Sequence, residues 1–162
     1  MTLLQKLSFG TLAVLFSLIF IGGYVSSSGV GLTCPDWPLC PQGFVPAYNF
    51  VIEYIHRTFA ASTGILVVAL MAFTLKSKQA PREMKITSII AGGAVIGQIT
   101  LGAIVIVERL HSILVTGHLG LGLVLFSMVL MTTVYAWKIK GQQQDRAELE
   151  ASRRRQKQQP TA

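Results

Sequence analysis

The chain has 162 residues, of which 51% are hydrophobic and only 13% charged, and its mean hydropathy is +0.55. That balance excludes an ordinary soluble domain and places the chain among membrane proteins. The net charge of +7 is carried at the ends of apolar runs, so it reports membrane topology and not a nucleic-acid partner.

Four stretches contain no charged residue: Leu7 to Pro35, Thr58 to Leu75, Ile86 to Val107 and Ser112 to Trp137. A helical membrane span needs roughly 20 such residues. The alternation of an outer-membrane barrel strand is absent from these continuous runs. The sequence therefore predicts an all-α integral membrane protein, a bundle of four transmembrane helices over about 7–28, 49–75, 86–107 and 111–137.

The first run follows Lys6 and ends in "SSSG", which resembles a secretory signal with a small-residue cleavage site. Its apolar core extends from Leu7 to about Val25, longer than the roughly 7–15 residues of a signal, so an uncleaved first helix is expected. A loop from about Ser26 to Tyr48 follows and holds both cysteines, Cys34 and Cys40, in "CPDWPLC". Two cysteines in one short proline-bent segment on an oxidising face point to an intraloop disulfide. As a staple, such a bridge would contribute about 2 kcal/mol. The alternative is a redox-active pair, or a clamp on a lid.

The second run is the shortest, so its helix is expected to begin early and to take "EYIHR", residues 53–57, into its first turns. Charges at that depth are costly unless paired or functional. Glu53 and Arg57 are spaced i,i+4 and could form an ion pair. Glu53 is also one turn from His56, where a carboxylate over the edge of a bound ring could take a proton or steady positive charge. In the third run Gly93 and Gly97 form a G-x-x-x-G patch suited to close helix packing. A very short turn near Glu108 leads to the fourth run and His118. The segment 138–162 is polar and basic, with little to bury, and is expected to be a frayed helix or disordered. Its "RRR" could touch lipid headgroups of the bilayer.

Twelve of the 14 Lys and Arg residues precede the first span, separate the second from the third, or follow the fourth. Only Arg57 and Arg109 remain for the other side. The positive-inside rule then puts both termini in the cytoplasm and the cysteine loop outside.

His56 and His118 lie near the outer ends of the second and fourth spans, at similar depth. Such a pair suits two axial ligands that grip one haem iron from facing helices. Zinc would need further ligands close by. Ala60, Thr63 and Gly64 beyond His56, with Gly117, Gly120 and Gly122 around His118, would let a flat ring lie against the backbone, though small residues also serve helix packing. Glu108 and His111 repeat the Glu-x-x-His spacing. His111 could be a second ligand, a partner for a haem propionate or an interfacial residue, and the last two are favoured.

"GGYVSSSGVGLTCPDWPLC", "VIEYIHRTFAASTG" and "GQITLGAIVIVERLHSILVTGHLGLGLVLF" closely resemble the N-terminal half of haem A synthases, from about Gly22 to Trp137. Family members usually have eight helices in two similar halves, and a single half resembles the compact form found among archaea. The resemblance implies oxidation of the C8 methyl of haem O to the formyl group of haem A, for terminal oxidases. It implies haem b as cofactor and haem O as substrate. It also implies His56 and His118 as iron ligands, Glu53 as the catalytic carboxylate and Cys34–Cys40 as an external disulfide. Haem O synthase and a membrane electron acceptor would be partners. Many members carry Arg or Lys where this chain has Ser26–Ser28, so Arg57, Arg109 or His111 would have to meet a propionate instead. One histidine pair for two haems implies a homo-oligomer, a dimer or larger. Two rival readings use the same features: a non-catalytic b-type cytochrome or haem carrier, and an assembly factor that works through its cysteines.

Overall fold

The computed structural model describes residues 2–33 and 50–158. These form four helices in chain order: α1 (Leu3–Ser28), α2 (Val51–Lys76), α3 (Arg82–Val107) and α4 (Ser112–Gln158). No strand occurs among the described residues. Each helix is long and apolar enough to cross a membrane, in α4 over Ser112–Ile139. The chain is a multi-pass, four-helix membrane bundle.

The helix ends follow from local chemistry. Thr2 accepts a hydrogen bond from the Gln5 backbone N–H, and the Gln5 side chain accepts one from the N–H of Thr2. This capping box starts α1 at Leu3, several residues before the apolar run. Gly29, at φ 73°, closes α1 in the left-handed conformation that glycine adopts without penalty. Pro81 ends the short α2–α3 connection and precedes α3. The α3–α4 turn is tight, with Arg109 and Leu110 both left-handed at φ 48° and 61°. Two successive non-glycine residues there store about 1–2 kcal/mol each. Leu110 offsets part of this by packing on Gly31, where an added Cβ would lie 3.2 Å from its Cδ1.

α4 does not stop where its apolar part stops. It continues to Gln158, through "GQQQDRAELEASRRRQKQ". Gln, Arg, Ala, Glu, Leu and Lys are good helix formers, so the helix propagates from an ordered base without needing burial.

Adjacent helices pack in a closed square: α1 on α2, α2 on α3, α3 on α4 and α4 back on α1, with α3–α4 the most extensive pairing. α2 and α4 therefore stand on one diagonal. The core lies mainly in the half of the bundle toward the basic ends. Leu15, Val67, Leu70, Ala91, Val95, Leu125 and Val129 form it. Beside them is a belt of buried hydroxyls and one amide. Thr87 and Thr132 share a hydrogen bond of 2.8 Å, Thr133 donates to the carbonyl of Ser8, and Gln5 donates to the carbonyl of Ala136. Without water, such bonds hold helices together where apolar burial gives little drive.

The opposite half, toward the α1–α2 connection and the α3–α4 turn, is packed differently. Its buried described residues are Val25, Gly31, Glu53 and Val105, and α4 contributes none before Leu125. Both histidines of the apolar segments are in this open half.

Candidate functional site

Glu53, His56 and Arg57 occupy the first two turns of α2. Glu53 is 3% exposed, which requires partners for a carboxylate. Nη2 of Arg57 donates to its Oε1 at 2.6 Å. Its Oε2 lies 3.0 Å from the hydroxyl of Thr33, in the segment after α1. That hydroxyl is also 2.9 Å from the carbonyl of Val30, and its single proton serves one acceptor at a time. The carboxylate is thus fixed from both sides, by a guanidinium on its own helix and a hydroxyl from the segment that precedes it.

His56 lies five residues into α2 and His118 six residues into α4. At 1.5 Å per residue their depths are about 7.5 and 9 Å. Both rings are half-buried, on diagonal helices. The Nδ1 atom of each is buried without a hydrogen-bond partner. A buried imidazole nitrogen left unbonded is costly in a membrane interior. Neutral imidazole nitrogens of this kind are also common ligands of metal centres.

Each ring also lies against a glycine of the preceding helix. A Cβ added at Gly22 of α1 would be 3.1 Å from Cε1 of His56, and one at Gly102 of α3 would be 3.2 Å from Cε1 of His118. Gln98 of α3 donates from Nε2 to the carbonyl oxygen of His118 at 2.8 Å, which pins α4 at the histidine's own level. Gly22, Gly102, Gln98 and Thr33 were not singled out from the sequence. Only Gln98 carried a signal there, as an amide inside an apolar run.

The glycines around His118 divide. Gly117 and Gly122 receive Leu101 and Gln98 from α3 and so serve helix packing, whereas a Cβ at Gly120 would meet nothing within 4 Å. Thr63 and Gly64 are buried farther down α2. Gly97 receives Leu121 inside the bundle, and Gly93 is open.

His111 does not join this interior. It is exposed, immediately before α4, and its N–H donates to the carbonyl of Glu108. Glu108 and Arg109 are exposed in the same turn. Ser27 and Ser28 turn their hydroxyls back onto the carbonyl of Tyr24. Cys34 and Cys40, and the disulfide expected between them, lie outside the described residues. No group of three or more His, Cys, Asp or Glu that could hold a metal ion occurs among the described residues. A bis-histidine haem needs no such group, because the porphyrin supplies the other ligands.

Residues 43–160 match the model of the COX15-CtaA family, cytochrome oxidase assembly proteins. The chain belongs to that family. It is 33% identical over 136 residues to a protein named heme A synthase from Bacillus licheniformis, covering 82% of this chain and 45% of that one. Proteins of the same name from Exiguobacterium sibiricum and Symbiobacterium thermophilum are 29% and 28% identical. These alignments cover 86% and 83% of this chain, and 49% and 45% of the relatives. The chain thus spans about half the length of the curated relatives it matches. The residues present, two half-buried imidazoles at one level with unbonded buried nitrogens, fit a haem.

Proposed function

We propose that the chain is a haem A synthase, an oxidoreductase that converts the C8 methyl group of haem O to a formyl group within the membrane. The carrying observation is the diagonal pair His56 and His118, at one depth, with unpartnered buried nitrogens and the buried Glu53 one turn away. Kinship with proteins named heme A synthase supports the same reading.

His56 and His118 would hold the iron of a haem b. When bound, the haem supplies an iron that passes electrons between the substrate and a membrane electron acceptor. The protein's own contribution is to place and to deprotonate. With water supplying the oxygen atom and the electron acceptor taking the electrons, converting a methyl into a formyl group releases protons, and Glu53 offers a carboxylate to receive them. Arg57 and Thr33 hold that carboxylate still, which limits the reorganisation needed as charge develops. Arg57, Arg109 or His111 would meet a propionate in place of a basic residue at Ser26–Ser28. The basic helix ends support cytoplasmic termini and an external cysteine loop. Haem O synthase would supply the substrate, and two or more copies would supply separate pockets for cofactor and substrate haems.

The Glu53–Arg57 pair favours a second reading, a b-type cytochrome or haem carrier in which the carboxylate only balances the guanidinium. Expression in cells that make haem O, followed by extraction and identification of the haems, decides between them. Haem A supports the synthase. Haem b alone, or unchanged haem O, supports the carrier.

A further inference from the structure

We propose that Gly22 and Gly102 are positioning residues that set the orientation of the His56 and His118 rings. The inference rests on the haem-holding role of these histidines, and it adds two residues outside their helices. The two contacts have one form. A Cβ at Gly22 would lie 3.1, 3.6 and 3.9 Å from Cε1, Nδ1 and Nε2 of His56. A Cβ at Gly102 would lie 3.2, 3.8 and 4.0 Å from the same atoms of His118. Both imidazoles thus turn the same edge toward the backbone of the preceding helix.

The two contacts also share a level. Gly22 is six residues before the end of α1, and Gly102 five before the end of α3. Exchanging α1 and α2 for α3 and α4 therefore exchanges one glycine–histidine pair for the other. Ordinary helix packing also fills glycines here, with Met71 at Gly92 and Leu121 at Gly97, but what sets Gly22 and Gly102 apart is that the same edge of an imidazole meets both, at one level in both halves of the bundle. A β-carbon at either special position must push the ring by a few tenths of an ångström. Groups that orient a metal ligand set its geometry, and losing them typically lowers metal affinity about 10–100-fold.

Two measurements on the full chain test this. The first needs no haem. In mid-helix, Ala is intrinsically better than Gly. Gly22→Ala should therefore raise the thermal midpoint in a His56→Ala background and fail to raise it when His56 is present. Gly23→Ala, its neighbour, should behave alike in both backgrounds. The same cycle applies to Gly102→Ala with His118→Ala, with Gly120→Ala as control. Equal effects of Gly22→Ala and Gly102→Ala with and without the rings would overturn the proposal. The second measurement adds haem b to purified protein. Gly22→Ala and Gly102→Ala should each weaken binding by about tenfold and change the electron paramagnetic resonance signature of the ferric haem, while Gly23→Ala leaves both as in wild type. Wild-type affinity and signature in both alanine variants would also overturn it. A wild-type chain that forms no low-spin haem would instead overturn the haem-holding role, and with it the part of the proposal that concerns haem, while the thermal cycle still decides whether the glycines set the rings.

Discussion

Thr33 and Glu53, separated by 20 residues and a helix boundary, meet at 3.0 Å between hydroxyl and carboxylate. Thr33 is the residue before Cys34, so the approach to the cysteine loop is tied to the carboxylate of α2. A hydrogen bond to a charged group contributes about 1.5–3 kcal/mol. Thr33→Val should lower the thermal midpoint and reduce haem A yield, and Thr33→Ser should restore most of both. A valine variant with wild-type yield would show that Glu53 is held in place without the Thr33 hydroxyl.

The histidines are expected to divide two against one. His56→Ala and His118→Ala should each abolish low-spin, six-coordinate haem, because neither half-buried ring has a substitute at its depth among the described residues. His111→Ala should retain it, because His111 is exposed in the turn before α4. Optical spectra of the purified variants report the outcome, and an unchanged spectrum for His118→Ala would refute the ligand pair.

Glu53→Gln should retain haem and lose conversion of haem O, since glutamine keeps the shape and hydrogen-bonding oxygen but accepts no proton near neutrality. Extracted haem identifies the product. Removing only one member of a buried ion pair typically costs about 3–5 kcal/mol. Arg57→Ala should accordingly destabilise the chain more than the double change Glu53→Gln with Arg57→Ala, read as thermal midpoints in one detergent.

If Cys34 and Cys40 form a staple, replacing both with serine should lower yield or stability and leave measurable synthesis. A folded, haem-loaded double variant with no synthesis at all would assign the pair a redox role instead.

Oligomer function can be tested by mixing. Gly97 is occupied within its own bundle by Leu121, and Gly93 is open, so only part of the G-x-x-x-G patch is committed to internal packing. Glu53→Ala and His118→Ala chains, each inactive alone, should recover haem A synthesis when expressed together. No recovery, with an active monomer in mild detergent, would show that a single chain suffices.

The helices were legible because burial in a bilayer leaves long runs without charge, as in Ile86 to Val107. The level of His56 and His118 was legible for the same reason, since helix rise converts sequence distance into depth. The Glu53–Arg57 pairing could be read as i,i+4 geometry. Other features depend on tertiary contact. Nothing in the sequence distinguishes Gly22 from Gly23, yet one touches a histidine and the other meets nothing within 4 Å. Thr33 reaches Glu53 only because the segment after α1 returns over α2. The repeated Glu-x-x-His at Glu108 and His111 does not form one helical face, because Arg109 and Leu110 between them are left-handed. The early start of α1 is set by Thr2 and Gln5, polar residues that a search for apolar runs passes over.

The hydroxyl belt has a consequence for the order of assembly. Thr87–Thr132, Thr133–Ser8 and Gln5–Ala136 join helices at the end remote from His56 and His118, and none of these bonds requires a guest between the histidines. Newly inserted helices can close there first, like a peg hinged at one end. The levels of His56 and His118 are then set by bonds at the far end of the bundle, so a change at either histidine should leave that hinge in place.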